Sequence, residues 1–284
     1  MEGCDVGAIF NTATAMLPKA QQTGRFTLRA GILARKLRID SEGRVQSVSV
    51  VDRETRREEK VRAEIFIVCC ASIESARLLL NSHSEKFPNG LANSSDQVGR
   101  YLHGHSTCAI HSYLEELAGT PPSNEDGAMD HTCIPRNNMD DWKRAFAGGY
   151  GFQTQYGGFM FPYHARHLQG FGQEFKKDVR FLQPGFFEMG GFGKILAQPK
   201  NRATVDSNKP DAFSISIPVI DFTFSENDQA LRNDMCTRAE EILHEAGVCR
   251  SIRSGSGLAG FASHEVGTVQ IGSDPRKSVL NSYC

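Results

Sequence analysis

No stretch of this 284-residue chain approaches the roughly 18 consecutive apolar residues that a membrane-spanning helix requires. The longest apolar run, Ile65 to Ala71, has the length of a buried strand instead. Charge of one sign is also missing: 32 Lys and Arg stand against 33 Asp and Glu, for a formal net charge of −1. That balance excludes the basic footprint of a nucleic-acid binder. The one dense charged stretch, Arg53 to Lys60, mixes both signs and reads as a solvated hairpin face. None of the eight cysteines (4, 69, 70, 108, 133, 236, 249 and 284) makes the C-x₂-C spacing of a zinc site. Free, mostly buried thiols are therefore predicted, which favours a reducing compartment such as the cytoplasm and otherwise leaves localisation open. Cys69 and Cys70 would point to opposite faces of a strand and are predicted to be buried without bonding to each other. The first residues have neither a basic segment nor an apolar core of the kind a secretory leader carries. Internal repeats and low-complexity tracts are absent as well.

What remains, 39% hydrophobic and 23% charged, is the composition of an ordinary globule with one large or two modest domains. Residues 24–82 read as strands and a helix. Arg25 to Leu28 and Ile32 to Ile39 are rich in apolar and β-branched residues. Asp40-Ser-Glu-Gly43 marks a turn, and Val45 to Val51 is nearly alternating. Val61 to Cys70 is predicted as a strand covered on both faces. Ser72 is predicted to cap a helix with Ile73, Ala76, Leu79 and Leu80 on its inner side. Further along, glycine and phenylalanine dominate Gly148 to Phe192, suggesting short strands between turns, and Gly119 to Gly127 is an exposed loop. Ser214 to Phe224 alternates as a half-buried antiparallel strand does. Ser225-Glu-Asn-Asp228 resembles a capping box. It opens a helix carrying Leu231, Met235, Ala239, Ile242, Leu243 and Ala246, with Gly247 just past its end. The chain thus divides into an α/β part followed by an α+β part.

The segment His264-Glu-Val-Gly-Thr-Val-Gln-Ile-Gly-Ser-Asp-Pro275 places a histidine on a glycine-rich turn where neither helix nor strand asks for one. Imidazole, with a reference pKa of about 6.5, can accept a proton at neutral pH, as alcohol oxidation requires. Just upstream, Gly255-Ser-Gly-Leu-Ala-Gly260 has the letters of a dinucleotide fingerprint. No helical pattern follows it, so a phosphate would meet no helix N-terminus, and it reads as a turn. His103 and His105 share a strand face, but two ligands alone make an incomplete metal site, and no metal is expected. A structural or substrate-facing role suits His105 better. His164 and His167 read as loop surface.

Five blocks in order carry a resemblance to the glucose-methanol-choline (GMC) family of flavin oxidoreductases. The first is Cys4 to Ala8 with Leu17 to Ala20 and Thr23-Gly24. The second, Ala63 to Ser82, is similar to the family's strand-turn-helix, usually written with glycine where Cys70 stands. The third is Asn93 with Val98-Gly-Arg-Tyr-Leu-His-Gly-His105. Pro199 to Asp206 with the helix after Ser225 forms the fourth, and His264 to Pro275 the fifth.

The resemblance implies a partial FAD/NAD(P)-binding Rossmann-like domain over residues 1–104 and an antiparallel-sheet substrate domain over 105–260. Residues 261–284 would hold the catalytic-histidine loop. It implies FAD as cofactor and oxidation of a CH-OH group of a sugar, sugar acid, polyol or other alcohol, with hydride passing to the flavin. Quinone, cytochrome and dioxygen stay open as electron acceptor. His264 would be the catalytic base, His105 a substrate-binding residue, and Ala34, Cys70, Ala71 and Asp274 flavin-binding positions. The family's glycine fingerprint has no counterpart in residues 1–30, and the usual partner of the His264 position has none before Cys284. The expectation from this pattern is a fragment, inactive alone, with a non-catalytic binding module or one chain of a split enzyme as alternatives.

Overall fold

The computed structural model describes residues 10–121, 132–137, 144–156, 165, 168–248, 251–256 and 264–283. The chain forms two compact units: Met1–Ile67 with Pro210–Ile215, and Val68–Lys209 with Ser216–Cys284. The boundary at Ile67/Val68 lies upstream of the 104/105 division expected from the sequence. Residues 71–104 fall in the second unit because their contacts are made there, with Ser216–Asp221 and the 266–268 segment.

The first unit begins with the short helix α1 (Leu17–Gln22), which has a proline in its first turn. An antiparallel meander follows, β1 (Ile32–Ile39), β2 (Val45–Asp52) and β3 (Glu58–Arg62), with β2 in the middle. The predicted turn at 40–43 is formed. Gly43 takes a φ of 90°, and the Asp40 carboxylate accepts from the Glu42 and Arg44 amides at 2.9 Å. Residues 210–215 are tied to this unit by Arg56, which donates to the Ala212 carbonyl at 2.5 Å and lies 4.1 Å over the Phe213 ring.

Two expectations fail here. Arg25 to Leu28 is not a strand, and the predicted strand Val61 to Cys70 stops at Arg62. Ile65 and Ile67 are 79% and 82% exposed, and Cys69 and Cys70 are exposed too. An apolar run becomes a covered strand only where other strands and layers meet it. Among the described residues β3 pairs with β2 alone, and nothing extends the ladder along 63–70.

The second unit is built on a five-stranded antiparallel sheet in the order β10 (Ser251–Ser256), β4 (His105–Tyr113), β7 (Phe186–Lys194), β6 (Tyr150–Tyr156), β5 (Thr132–Asn137). Helix α4 (Glu226–Glu245) lies across β4 and β7 and begins with the predicted capping box. Ser225 Oγ accepts from the Asp228 amide, while Asp228 accepts from the Ser225 amide at 2.8 Å. Leu231, Met235, Ala239 and Leu243 are buried against Cys108, Ile110, Phe152 and Met189. The glycines of β7 have a packing purpose. A Cβ at Gly191 would sit 2.6 Å from Met235 Sδ, and one at Gly193 would sit 2.2 Å from Leu231 Cδ2. Gly247 ends the helix region with a φ of 80°, as predicted.

Helix α3 (Gly172–Leu182), not foreseen within the glycine-rich region, packs Phe175, Val179 and Leu182 on Tyr113 and Phe186. The two-stranded ribbon β8 (Arg202–Pro210) and β9 (Ser216–Asp221) lies against α2 (Ala71–Asn81). In α2 the buried residues are Ala76, Leu78 and Leu79, while Ile73 and Leu80 are half-buried. All strand ladders among the described residues are antiparallel. No helix among them is long and apolar enough to cross a membrane.

Candidate functional site

His105 opens β4, and its ring meets that of His264. The centroids are 5.1 Å apart with planes at 84°, an edge-to-face contact. Phe192 stacks edge-on against the same His105 ring at 6.0 Å. Residues 159 positions apart, singled out separately in the sequence, are therefore in contact. His105 is half-buried and His264 exposed.

Backbone pairing explains how the two are brought together. His103 and Val266 exchange both amide–carbonyl bonds, at 3.1 and 2.8 Å. The Thr268 amide donates to the Arg100 carbonyl at 2.9 Å, and the Gly99 amide donates to the Thr268 carbonyl at 2.7 Å. Gly267 has a φ of 90°, and a Cβ there would lie 2.0 Å from the Tyr101 carbonyl oxygen. Only glycine permits so close an approach in that conformation. The third and fifth sequence blocks are thus two sides of one backbone clamp. The fourth block joins it through Asn201, whose carbonyl accepts from the Leu102 amide at 3.0 Å and whose side chain bonds both backbone groups of Thr223. Asp96 pairs with both Arg100 and Arg202, the latter at 2.9 Å.

The His105 pKa is lowered from its ordinary value. Burial is the main cause, followed by the nearby imidazole of His264 and, more weakly, that of His103, while a hydrogen bond to the Gly193 backbone acts in the other direction. His105 therefore favours the neutral form. His103 donates through Nδ1 to the Tyr101 carbonyl at 2.7 Å, since a carbonyl can only accept. No cluster of three or more metal-ligating side chains occurs among the described residues.

The proposed flavin positions fall in both units. Ala34 lies exposed in β1 of the first unit, paired with Val50. Asp274, in the second unit, accepts from the Arg276 amide at 3.0 Å and its Nε at 3.1 Å, which holds its carboxyl below the usual range. Its carboxylate thus serves its own turn. Cys70 and Ala71 stand at the start of α2. Ser72 does not cap this helix as predicted. Cys70 occupies the N-cap without a side-chain cap bond, Ala71 adopts a left-handed φ of 58°, and Ser72 Oγ lies 3.2 Å from Thr268 Oγ1. The first-turn amides of α2 consequently have no side-chain cap, a donor set suited to a phosphate or ring carbonyl. That much fits a flavin. Cys70, where glycine is usual, has its thiol pKa raised, first by partial desolvation and then by Glu74, so it is held toward the neutral form. His164, His167 and most of the Gly255–Gly260 motif lie outside the described residues.

The sequence reading missed Thr268, Phe192 and Asn201. Thr268 and Asn201 are fully buried polar residues within blocks already noted, and a threonine immediately after Gly267 was the available signal.

Residues 1–107 match the profile of the GMC oxidoreductase family. The chain is 32% identical over 292 residues to 6'''-hydroxyparomomycin C oxidase of Streptomyces lividus, covering 99% of this chain and 48% of that protein. It is 28% identical to paromamine 6'-oxidase of Streptomyces fradiae, over 99% of this chain and 49% of the relative. It is also 22% identical to the fructose dehydrogenase large subunit of Gluconobacter japonicus, over 99% and 50%. Over residues 1–107 the chain thus matches the GMC oxidoreductase family, whose matched domain is FAD-binding. It spans about half the length of the curated relatives it matches.

Proposed function

We propose that this chain carries the proton-handling site of an FAD-dependent enzyme that oxidises a CH-OH group of a sugar, sugar acid, polyol or related alcohol. The single observation that carries the reading is the His105–His264 ring pair, held by the backbone clamp between residues 99–103 and 266–268. The relatives' names, oxidases and dehydrogenases of sugar-like and diol compounds, support the reaction class.

When bound, FAD supplies the two-electron acceptor, which the protein's own side chains cannot provide. Cys70 and Ala71, at the uncapped start of α2, are the positions in this unit that would hold it. His264, exposed and free to meet a ligand, takes the hydroxyl proton as the C–H bond is broken. His105, biased toward neutrality, accepts or donates a hydrogen bond to the same hydroxyl and orients it.

The test supplies the portions that the longer relatives carry from one of them, then mixes the FAD-loaded protein anaerobically with a panel of sugars, sugar acids and polyols while the visible flavin absorption is followed. At least one CH-OH compound should bleach the flavin. His264→Ala should slow that bleaching by roughly 10²–10⁴-fold with unchanged flavin content. Wild-type rates in the variant would show that His264 is structural.

A further inference from the structure

Thr268 stands out among residues that the chemistry above does not use. It is a β-branched, fully buried residue held at a φ of 62°. Left-handed backbone is disfavoured for a β-branched residue, so the surroundings must impose it. Its backbone is bound on both sides, to Arg100 and Gly99, and its hydroxyl donates to the Ser72 carbonyl at 2.8 Å. Ser72 Oγ lies 3.2 Å from the same oxygen. One residue therefore joins two things at once, the 99–103 segment and the first turn of α2, and it stands four positions along the chain from His264.

We propose that Thr268 is a positioning residue that fixes the distance between the start of α2 and the His264 imidazole. The proposal rests on the reading of His264 as the base and of the α2 start as a cofactor position. The hydroxyl is the element that matters. The clamp between 99–103 and 266–268 ties the loop to one backbone segment only. The Thr268 hydroxyl adds the lateral tie to α2. Without it the loop can shift along that segment and carry His264 off His105. Displacements near 1 Å at a reacting centre are enough to cost about 10²-fold in rate.

Thr268→Val keeps the shape and the β-branch and removes the donor, while Thr268→Ser keeps the donor. Two readouts separate positioning from mere stability. The first is titration of the His105 ring by NMR, which reports whether His264 still sits beside it. In Thr268→Val the His105 pKa should rise toward the ordinary histidine value, and in Thr268→Ser it should stay low. The second is flavin reduction in the loaded protein. There Thr268→Val should lower kcat by about 10- to 100-fold with KM little changed, and serine should restore it. An unmoved His105 titration in Thr268→Val would overturn the proposal, whatever the loss of stability. Should Thr268→Val fail to fold, Ser72→Ala decides: a smaller upward shift of His105 supports the tie, and none refutes it. If His105 shifts in Thr268→Val while His264→Ala retains full turnover, the positioning stands and the assignment of His264 as base falls.

Discussion

The two main sheets of this molecule are both antiparallel, yet different things fill the space against them. In the five-stranded sheet, β7 presents Gly191 and Gly193 to α4, so that Met235 and Leu231 lie almost on the backbone. The core there is apolar and continuous from Cys108 through Leu243. In the three-stranded meander the buried positions of β2 include Ser47 and Ser49, the latter accepting from Arg38 at 2.6 Å. Arg29, Arg35 and Arg38 pair with Glu58 and Glu59 on the same sheet. Alternation in a sequence identifies strands in both. Only the presence of a facing layer decides whether an apolar side chain ends in a core.

That contrast can be broken by measurement. Leu231→Ala, in the α4 layer, should destabilise the protein by about 2–5 kcal/mol in chemical denaturation. The same truncation at Leu37 of β1 should fall at or below the lower end of that range. If Leu37 proved the costlier site, the meander would have a stronger core than its packing shows. Next in size is Gly267→Ala in the clamp. A left-handed φ and a backbone oxygen 2.0 Å from the new Cβ should together cost at least about 1–2 kcal/mol. Hydrogen exchange at the Val266 and Thr268 amides should quicken at once, and unchanged protection there would mean that the loop is not held by this contact.

A smaller effect is tied to pH. Because the folded His105 pKa lies below its ordinary value of 6.5, the unfolded chain binds more protons in the window beneath that value. The contribution is therefore fully present above pH ~6.5 and is lost as pH falls through that window toward the folded pKa. His105→Gln should flatten the decline in denaturation midpoint across the same range. A wild-type midpoint that rose on acidification there would reverse the sign. The smallest effect expected is at Ile65 and Ile67. Replacing either with serine should change stability by no more than about 0.5 kcal/mol, since both side chains are already in solvent. A loss of several kcal/mol would restore the covered strand that the sequence suggested.

The local elements of the fold were legible before the structure. The capping box at Ser225, the glycine stop at Gly247 and the turn at Asp40 depend on local chemistry, and each formed as read. His264 and His105 could be singled out from their neighbours in the chain. Their meeting could not, because it depends on pairing between segments far apart in sequence. The Val61 to Cys70 run misled for the same reason: its pattern is that of a covered strand, and covering is a property of partners. The Ser72 cap failed because a tertiary contact with Thr268 engages its hydroxyl. The glycines of β7, whose purpose the sequence did not reveal, serve the close approach of a helix read correctly elsewhere in the chain.

The central claim is that His105 and His264 act as one site, and the ring titration of His105 tests it most directly. In the wild type, His105 should titrate below the ordinary histidine value, and in His264→Ala it should move up toward it, since part of the depression comes from the neighbouring imidazole. A His105 titration that is identical in the two proteins would mean that the rings do not share an environment, and the paired site would be wrong.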